Sequence, residues 1–282
     1  MKQPHHLTLR TGMPVAPRAV CGLILAMLLT GCATRRTVTD KMMWSACPVA
    51  TLHGMASGFV LKSRDSKGHD TAVVVTCAHV MKTMREGPVI VCLHHQDQNG
   101  GVDPEPVIII PARGAMRDSF YVKHPTHDLA AFCLTVPDKA RKLLGLDSIP
   151  DEQTLTSAEL RAGDEVSFLG YPDVYPGTRG AFALLRSGRI ASYPASGAMA
   201  GGRFLINADV YPGDSGAPVF LTMRTGRPQV VGVLTSRIGA DKSSFSHLAV
   251  AVNVDAIRET LALLKKLPPV AADFVERPGR SR

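Results

Sequence analysis

The sequence predicts an all-β protein with closed or sandwiched antiparallel sheets and one helix near its C-terminus. Short apolar runs of strand length recur between polar turn segments from residue 53 onward, and no long helices alternate with them. The one segment with sustained helical spacing begins at Val254, after the capping residue Asn253, and ends before Pro268. These observations exclude an alternating α/β architecture.

The predicted strands divide into two halves on either side of a connector. They cover residues 58–61, 72–76, 89–93, 107–110, 129–134, 165–169, 189–191, 203–206, 218–221, 230–234 and 248–252. The connector, 137–150, ends one unit that spans 53–150, and a second unit with the helix spans 151–267. Residues 268–282 are basic and contain Pro and Gly, so we expect a loose tail.

The formal net charge of +8 does not indicate a nucleic-acid partner. Three of the positive charges lie in the first 31 residues, which contain no Asp or Glu, and the others are scattered along the chain. A nucleic-acid-binding surface needs clustered basic residues, so we expect no such partner.

The N-terminus is typical of an export signal. A basic, polar stretch to Arg18 precedes an apolar run from Ala19 to Leu29, which is too short to span a bilayer permanently. The ending Leu29-Thr30-Gly31-Cys32 resembles the bacterial lipobox, whose cysteine is acylated. The alternative is an ordinary signal peptide with an incidental cysteine.

The lipobox resemblance implies a definite organisation and location. Residues 1–31 would be a lipoprotein signal peptide, Cys32 would carry the membrane anchor, and 32–52 would be a tether. The mature protein would face the periplasm, and Ala33, by resemblance to enteric lipoproteins, points to the outer membrane.

Four cysteines remain in the exported part: Cys47, Cys77, Cys92 and Cys133. An exported chain can form disulfides, and four cysteines allow three pairings. The last three lie in apolar strand-like runs, where buried free thiols fit the pattern at least as well as disulfides do. No Cys/His spacing suggests a zinc site.

Three motifs bring together the residue types that acyl transfer requires. They are Thr76-Cys77-Ala78-His79 at the end of a strand, His127-Asp128-Leu129-Ala130 at the start of another, and Gly213-Asp214-Ser215-Gly216. A serine hydroxyl is a poor nucleophile until an imidazole takes its proton, and the imidazole needs a carboxylate to fix its tautomer. Tight turns through the glycines can aim backbone amides at one point.

These motifs, in this order, resemble those of the trypsin-like peptidases, most closely the bacterial HtrA (Deg) branch, over about residues 53–260. The resemblance implies two six-stranded antiparallel β-barrels of the chymotrypsin-like kind with a C-terminal helix. It implies His79, Asp128 and Ser215 as the catalytic triad, and the amides of Gly213 and Ser215 as the oxyanion hole. Protein or peptide substrates are expected, and no metal or organic cofactor.

The resemblance also suggests where the specificity pocket lies. The position six before the nucleophile, Asp209, would form its floor, with walls from Thr235, Ser236 and His247. A carboxylate there would favour Arg or Lys before the scissile bond. Alternatively, Asp209 faces solvent or pairs with Arg237, and the enzyme prefers small apolar residues.

Asp214 and His127 carry two further expectations. In activated trypsin-like enzymes the acid before the serine pairs with a freshly cut N-terminus, but this chain has no such activation sequence. A buried carboxylate needs a partner, so Asp214 should meet an internal cation, backbone amides or water. His127 would lie on a strand, facing away from Asp128, and would have a structural role.

Two alternative functions fit the sequence less well. An α/β-hydrolase requires a Gly-x-Ser-x-Gly motif and the order Ser, Asp, His, which this chain does not have. A catalytically silent, protease-like module that only binds peptides would not need three reactive groups. The sequence therefore predicts a serine endopeptidase.

Overall fold

The computed structural model describes residues 41–51, 54–64, 68, 70–82, 89–93, 107–111, 120–135, 144–145, 148–151, 160–173, 183–192, 202–221, 228–238, 247–264 and 272–275. Most of these residues lie in strands. Among them, no helix is long and apolar enough to span a bilayer. The predicted signal peptide and Cys32 lie outside the described residues.

The first half of the chain forms strands of one sheet and a short helix. The strands are β1 (Ala46–Thr51), β2 (Gly54–Arg64), β3 (Asp70–Thr76), β4 (Ile90–Leu93), β5 (Val107–Pro111), β6 (Tyr121–Lys123), β7 (Ala130–Thr135) and β8 (Leu144–Gly145). Helix α1 (Ala78–Lys82) directly follows β3, and residues 41–45 before β1 are also helical.

The second half forms a barrel and the terminal helix. Its strands are β9 (Glu165–Gly170), β10 (Leu184–Ile190), β11 (Arg203–Asn207), β12 (Pro218–Leu221), β13 (Gln229–Arg237) and β14 (Leu248–Asn253). Helix α2 (Val254–Leu264) starts where the side-chain oxygen of Asn253 accepts the amide of Ala256 at 3.3 Å, as the capping signal predicted. A last strand, β15 (Ala272–Val275), follows.

The two sheets differ in closure. The second closes in the order β10-β11-β14-β13-β12-β9, all antiparallel. The first has nine strands among the described residues, in the order β15-β5-β4-β1-β2-β3-β7-β6, with β8 pairing in parallel with β2. The all-β class, a closed six-stranded antiparallel barrel and the C-terminal helix are confirmed, and the described part of the first unit forms a second, mainly antiparallel sheet.

Alternating residues of the central strands supply two different cores. On β2, Val60 packs in a cluster inside the first unit, whereas Phe59 and Leu61 face the second unit. There they meet Tyr171 and Phe220. Both faces of β2 and β3 are therefore buried, which is why these strands read as continuous apolar runs. The candidate active site lies at this contact between the two units.

Two segments that the sequence assigned to a tether and a tail contain strands. Strand β1 lies within 32–52, where Pro48 weakened the strand signal because it lacks an N–H. The pairing of β1 with β4 covers only Val49 and Ala50, so that pairing does not extend to Pro48. Strand β15 pairs with β5 within 268–282, so this part of the predicted loose tail is ordered by its partner.

Candidate active site

His79 and Asp128 meet because β3 and β7 are neighbours. Thr76, at the end of β3, lies opposite Ala130, at the start of β7, so the segments beyond these residues converge. The Nδ1 atom of His79 lies 2.5 Å from Oδ2 of Asp128, and the backbone N–H of His79 donates to Oδ1 at 2.8 Å. The carboxylate therefore favours the tautomer with a proton on Nδ1, which leaves Nε2 free to accept one.

The environment of Asp128 keeps it ionised. Partial burial raises its pKa, but the hydrogen bonds and positive charge of His79, together with the charge of Lys82, outweigh this effect. The pKa of Asp128 is therefore lowered from its ordinary value of 3.8. An ionised carboxylate is the form that can stabilise a charged imidazole.

We expect the contribution of Asp128 to stability to depend on pH. Because its folded-state pKa is lowered, the contribution is complete above 3.8 and is lost as the pH falls through the folded-state value. The difference in unfolding free energy between the wild type and Asp128→Asn should therefore shrink as the pH falls below 3.8 in urea titrations. An equal difference at neutral pH and in strong acid would contradict this.

Ser215 lies in a tight turn between β11 and β12. The N–H of Asp214 donates to the carbonyl of Tyr211 at 3.1 Å, and the N–H of Ala217 donates to that of Asp214 at 2.9 Å. Gly213, at φ +98°, and Gly216, at φ +93°, adopt the left-handed conformations that the turn needs. A Cβ at Gly216 would also collide with the backbone carbonyl of Ser57.

Ser57, on β2, holds this turn from the first unit. Its hydroxyl donates to the carbonyl of Gly213 at 2.7 Å, and its N–H donates to that of Ser215 at 2.8 Å. The amides of Gly213 and Ser215 donate to none of the residues that the structure describes. The turn therefore leaves available the two amides predicted to form the oxyanion hole. This role of Ser57 could not be predicted from the sequence, because a single serine in a strand does not indicate which distant residue it contacts.

One carbonyl, that of Leu234, links the serine turn to the histidine segment. It accepts the N–H of Gly216 at 2.8 Å and the thiol of Cys77 at 3.3 Å. The hydroxyl of Ser215 donates to the carbonyl of Thr235 at 3.5 Å. Within the described part of the chain, it makes no hydrogen bond to His79. The structure thus pairs His79 with Asp128 but leaves the third link of the predicted triad unformed.

Asp214 is 2% exposed and pairs with a cation from the neighbouring strand β10. Nη1 and Nη2 of Arg186 donate to its two carboxylate oxygens, the former at 2.9 Å, and the N–H of Tyr211 donates to Oδ2 at 2.7 Å. The guanidinium also lies 4.8 Å from the centre of the Phe168 ring. The prediction that Asp214 finds an internal cation and backbone amides is confirmed.

Arg186 was missed because nothing in the sequence around it signals a buried partner. The chain around it, Leu-Arg-Ser-Gly-Arg, has the alternation of an exposed strand, and Arg189 in the same strand is indeed exposed. Only the pairing of β9 with both β10 and β12 brings the arginine beneath the serine turn.

A small pocket opens beside Ser215. It has a volume of about 130 Å³ and is lined by Val210, Tyr211, Pro212, Ser215, Ser236 and Arg237. Of the predicted specificity residues, Ser236 lines it, whereas Thr235 is buried with its hydroxyl donating to the carbonyl of Val250 at 3.4 Å.

Asp209 adopts the solvent-facing placement, one of the two that the sequence left open. Its carboxylate lies 2.6 Å from Nδ1 of His247, and both side chains are largely exposed. Neither residue lines the described pocket. The chain between the barrel strand and the turn directs Asp209 outward, where a charge remains hydrated. A preference for Arg or Lys before the scissile bond would need this carboxylate in the pocket.

Cys77 lies close enough to the His79–Asp128 pair for the three residues to be compared with a metal site. One ligand atom each from Cys77, His79 and Asp128 lies within 4.8 Å of the others. However, burial raises the pKa of the Cys77 thiol, as does the charge of Asp128, and the thiol already donates to Leu234. A metal ion would bind the deprotonated thiolate. These three residues are therefore better described as a hydrogen-bonded His–Asp pair beside a protonated thiol than as a metal site.

The other cysteines that the structure describes also form no disulfide: Cys47, Cys92 and Cys133. Burial, and to a lesser degree Cys92, raises the pKa of Cys47. Cys47 contributes to the core of the first unit as a small apolar side chain.

His127 does not lie on a strand, in contrast to the prediction. It lies in the bend before β7, and its ring centre is 4.6 Å from that of His124. Burial lowers the pKa of His127, with a smaller lowering by His124. Its structural role stays a prediction, and its neighbour His124 was not singled out from the sequence.

A closed six-stranded antiparallel barrel beside a second antiparallel sheet, with one C-terminal helix, is consistent with a chymotrypsin-like fold. The family described as "Trypsin-like peptidase domain" matches residues 56–233. That match spans more than half of the chain, so the protein belongs to the trypsin-like peptidase family.

A solved structure shares this fold. It is the inactive form of a serine-to-alanine mutant of Rv3671c from M. tuberculosis H37Rv, with a TM-score of 0.50 and 20% sequence identity. The similarity covers 84% of this chain and 93% of that chain. No curated protein sequence matches this chain.

Proposed function

We propose that this protein is a serine endopeptidase of the bacterial cell envelope, related most closely to the HtrA branch of its family. Ser215 is the nucleophile, His79 is the general base and then the general acid, and Asp128 orients the imidazole. The observation that supports this best is the 2.5 Å contact between Nδ1 of His79 and Asp128. It leaves Nε2 as the proton acceptor that a serine nucleophile requires.

The reaction follows from these atoms. The Ser215 hydroxyl gives its proton to Nε2 of His79 as its oxygen bonds to the peptide carbonyl carbon. The carbonyl oxygen becomes an oxyanion, which the amides of Gly213 and Ser215 stabilise. His79 then protonates the leaving amine as the C–N bond breaks. Water attacks the resulting ester by the same sequence, releasing the acid and restoring Ser215.

A fluorophosphonate probe tests this proposal against the alternative of a silent peptide-binding module. Such a probe reacts only with a serine activated by a neighbouring base. We expect covalent labelling of Ser215, detected by mass spectrometry, and hydrolysis of an unstructured protein such as casein. Binding of peptides without labelling or hydrolysis would favour the binding module.

We also propose that Cys32 carries a lipid anchor. The support is the apolar run that ends in Leu29-Thr30-Gly31-Cys32. Cys32→Ser should release the protein from membranes into the soluble fraction, because an acyl chain supplies the anchoring energy. Fractionation followed by mass spectrometry measures this, with Cys47→Ser as the matched control. Wild-type protein that is soluble and carries no acyl mass on Cys32 would rule out the anchor.

For specificity, we propose a preference for small apolar residues before the scissile bond. A pocket of about 130 Å³ lined partly by Val210 and Pro212 suits a side chain such as that of Ala or Val. Cleavage of a peptide library should be mainly after such residues and be unchanged in Asp209→Ala. Cleavage after Arg or Lys that Asp209→Ala abolishes would return Asp209 to the pocket.

A further inference from the structure

A buried histidine holds the turn that presents Asp128. His124, between β6 and β7, is 2% exposed. Its Nδ1 atom accepts the backbone N–H groups of Thr126, at 3.2 Å, and His127, at 3.0 Å. Its own backbone N–H donates to the carbonyl of Leu129 at 3.0 Å. The chain is thus tied to His124 on both sides of Asp128.

The second ring nitrogen of His124 reaches the C-terminal helix. Nε2 lies 2.7 Å from a carboxylate oxygen of Glu259 on α2. Because Nδ1 accepts two amides, the ring proton must be on Nε2, where it donates to Glu259. The carboxylate therefore selects the one neutral tautomer that can close the turn.

We propose that His124 is a positioning residue for the reaction, which keeps Asp128 in register with His79, and that Glu259 fixes the tautomer it needs. This inference rests on the proposed serine-peptidase function. The helix that ends the barrel thereby sets the position of the catalytic carboxylate in the other unit.

Substitutions at His124 separate positioning from packing. His124→Leu removes both nitrogens, and we expect kcat/KM to fall on the order of 10- to 100-fold, mostly in kcat, since a displacement of about 1 Å is this costly. His124→Asn keeps an oxygen that can accept the turn amides. It should recover most of this loss in kcat.

Glu259 provides a second test that does not disturb the core, because its side chain is largely exposed. Glu259→Ala should lower kcat, and Glu259→Gln, which still accepts the Nε2 proton, should lower it less. The rate of labelling by a fluorophosphonate should follow the same order, independently of any peptide substrate. These readouts also decide the question if His124→Leu does not fold.

Failure of this inference can be distinguished from failure of the proposed function. If the wild type neither hydrolyses protein nor reacts with the probe, the proposed function itself is wrong. If the wild type is active but Glu259→Ala retains the full rate and a folded His124→Leu retains the wild-type kcat, His124 does not position Asp128.

Discussion

Replacing Ser215 by alanine is expected to lower kcat on the order of 10⁶-fold, because no other group can form the acyl-enzyme. The folded structure should tolerate the change. The hydroxyl makes only one hydrogen bond to a described residue, to the Thr235 carbonyl at 3.5 Å, so its loss costs about 1 kcal/mol or less. Hydrolysis of a protein substrate measures the first effect, and urea unfolding measures the second.

The matched control is Ser187→Ala, which removes the hydroxyl of an exposed serine on β10. It should leave both hydrolysis and probe labelling at the wild-type level. Residual turnover by Ser215→Ala within about tenfold of the wild type would assign the nucleophile to another residue. Loss of activity together with loss of the cooperative unfolding transition would instead indicate that the turn needs the hydroxyl to fold.

Replacing Arg186 by methionine is expected to lower the free energy of unfolding by about 3–5 kcal/mol, since it leaves the Asp214 carboxylate buried without its cation. Activity should fall as well. Asp214 accepts the N–H of Tyr211 and precedes Ser215, so its displacement would move the amides of Gly213 and Ser215. Loss of one oxyanion donor alone costs about 10²- to 10³-fold in kcat.

The double variant Arg186→Met with Asp214→Asn separates charge from packing. The amide that replaces the carboxylate carries no charge to leave unpaired, so part of the lost stability should return. Arg189→Met is the control, because this exposed arginine on the same strand donates to the Gly163 carbonyl at 2.9 Å and to no buried carboxylate among the described residues. Its effect should be within about 1 kcal/mol. Equal losses in Arg186→Met and Arg189→Met would show that the buried pair contributes nothing.

The pair also gives the buried Asp214 a partner from within the barrel. From the sequence, Asp214 could be recognised only as an acid before a serine, which would need a cation, backbone amides or water as its partner if it were buried. The structure supplies Arg186 from β10, stacked against Phe168 of β9. Strand β10 thus provides the internal cation for Asp214, and β9 provides the ring against which its guanidinium stacks.

Local chemistry determined much of what the sequence could predict. Apolar runs such as that of β3 are strands because both of their faces are buried, and Asn253 caps α2 because its side chain serves the next turn. His79 and Asp128 were predicted because their motifs, together with that of Ser215, resemble those of the trypsin-like peptidases. These features depend on neighbours in the chain, which a sequence displays directly.

Partners from distant parts of the chain were decided only by the tertiary structure. Ser57 is 156 residues from the Gly213 carbonyl that it holds, Arg186 is 28 residues from Asp214, and His124 is 135 residues from Glu259. Asp209 lies outside the described pocket, one of the two placements that the sequence left open, because spacing along the chain does not fix the direction of a side chain. The sequence thus determined the fold class and the chemical groups, whereas strand pairing and burial decided which groups hold one another in place.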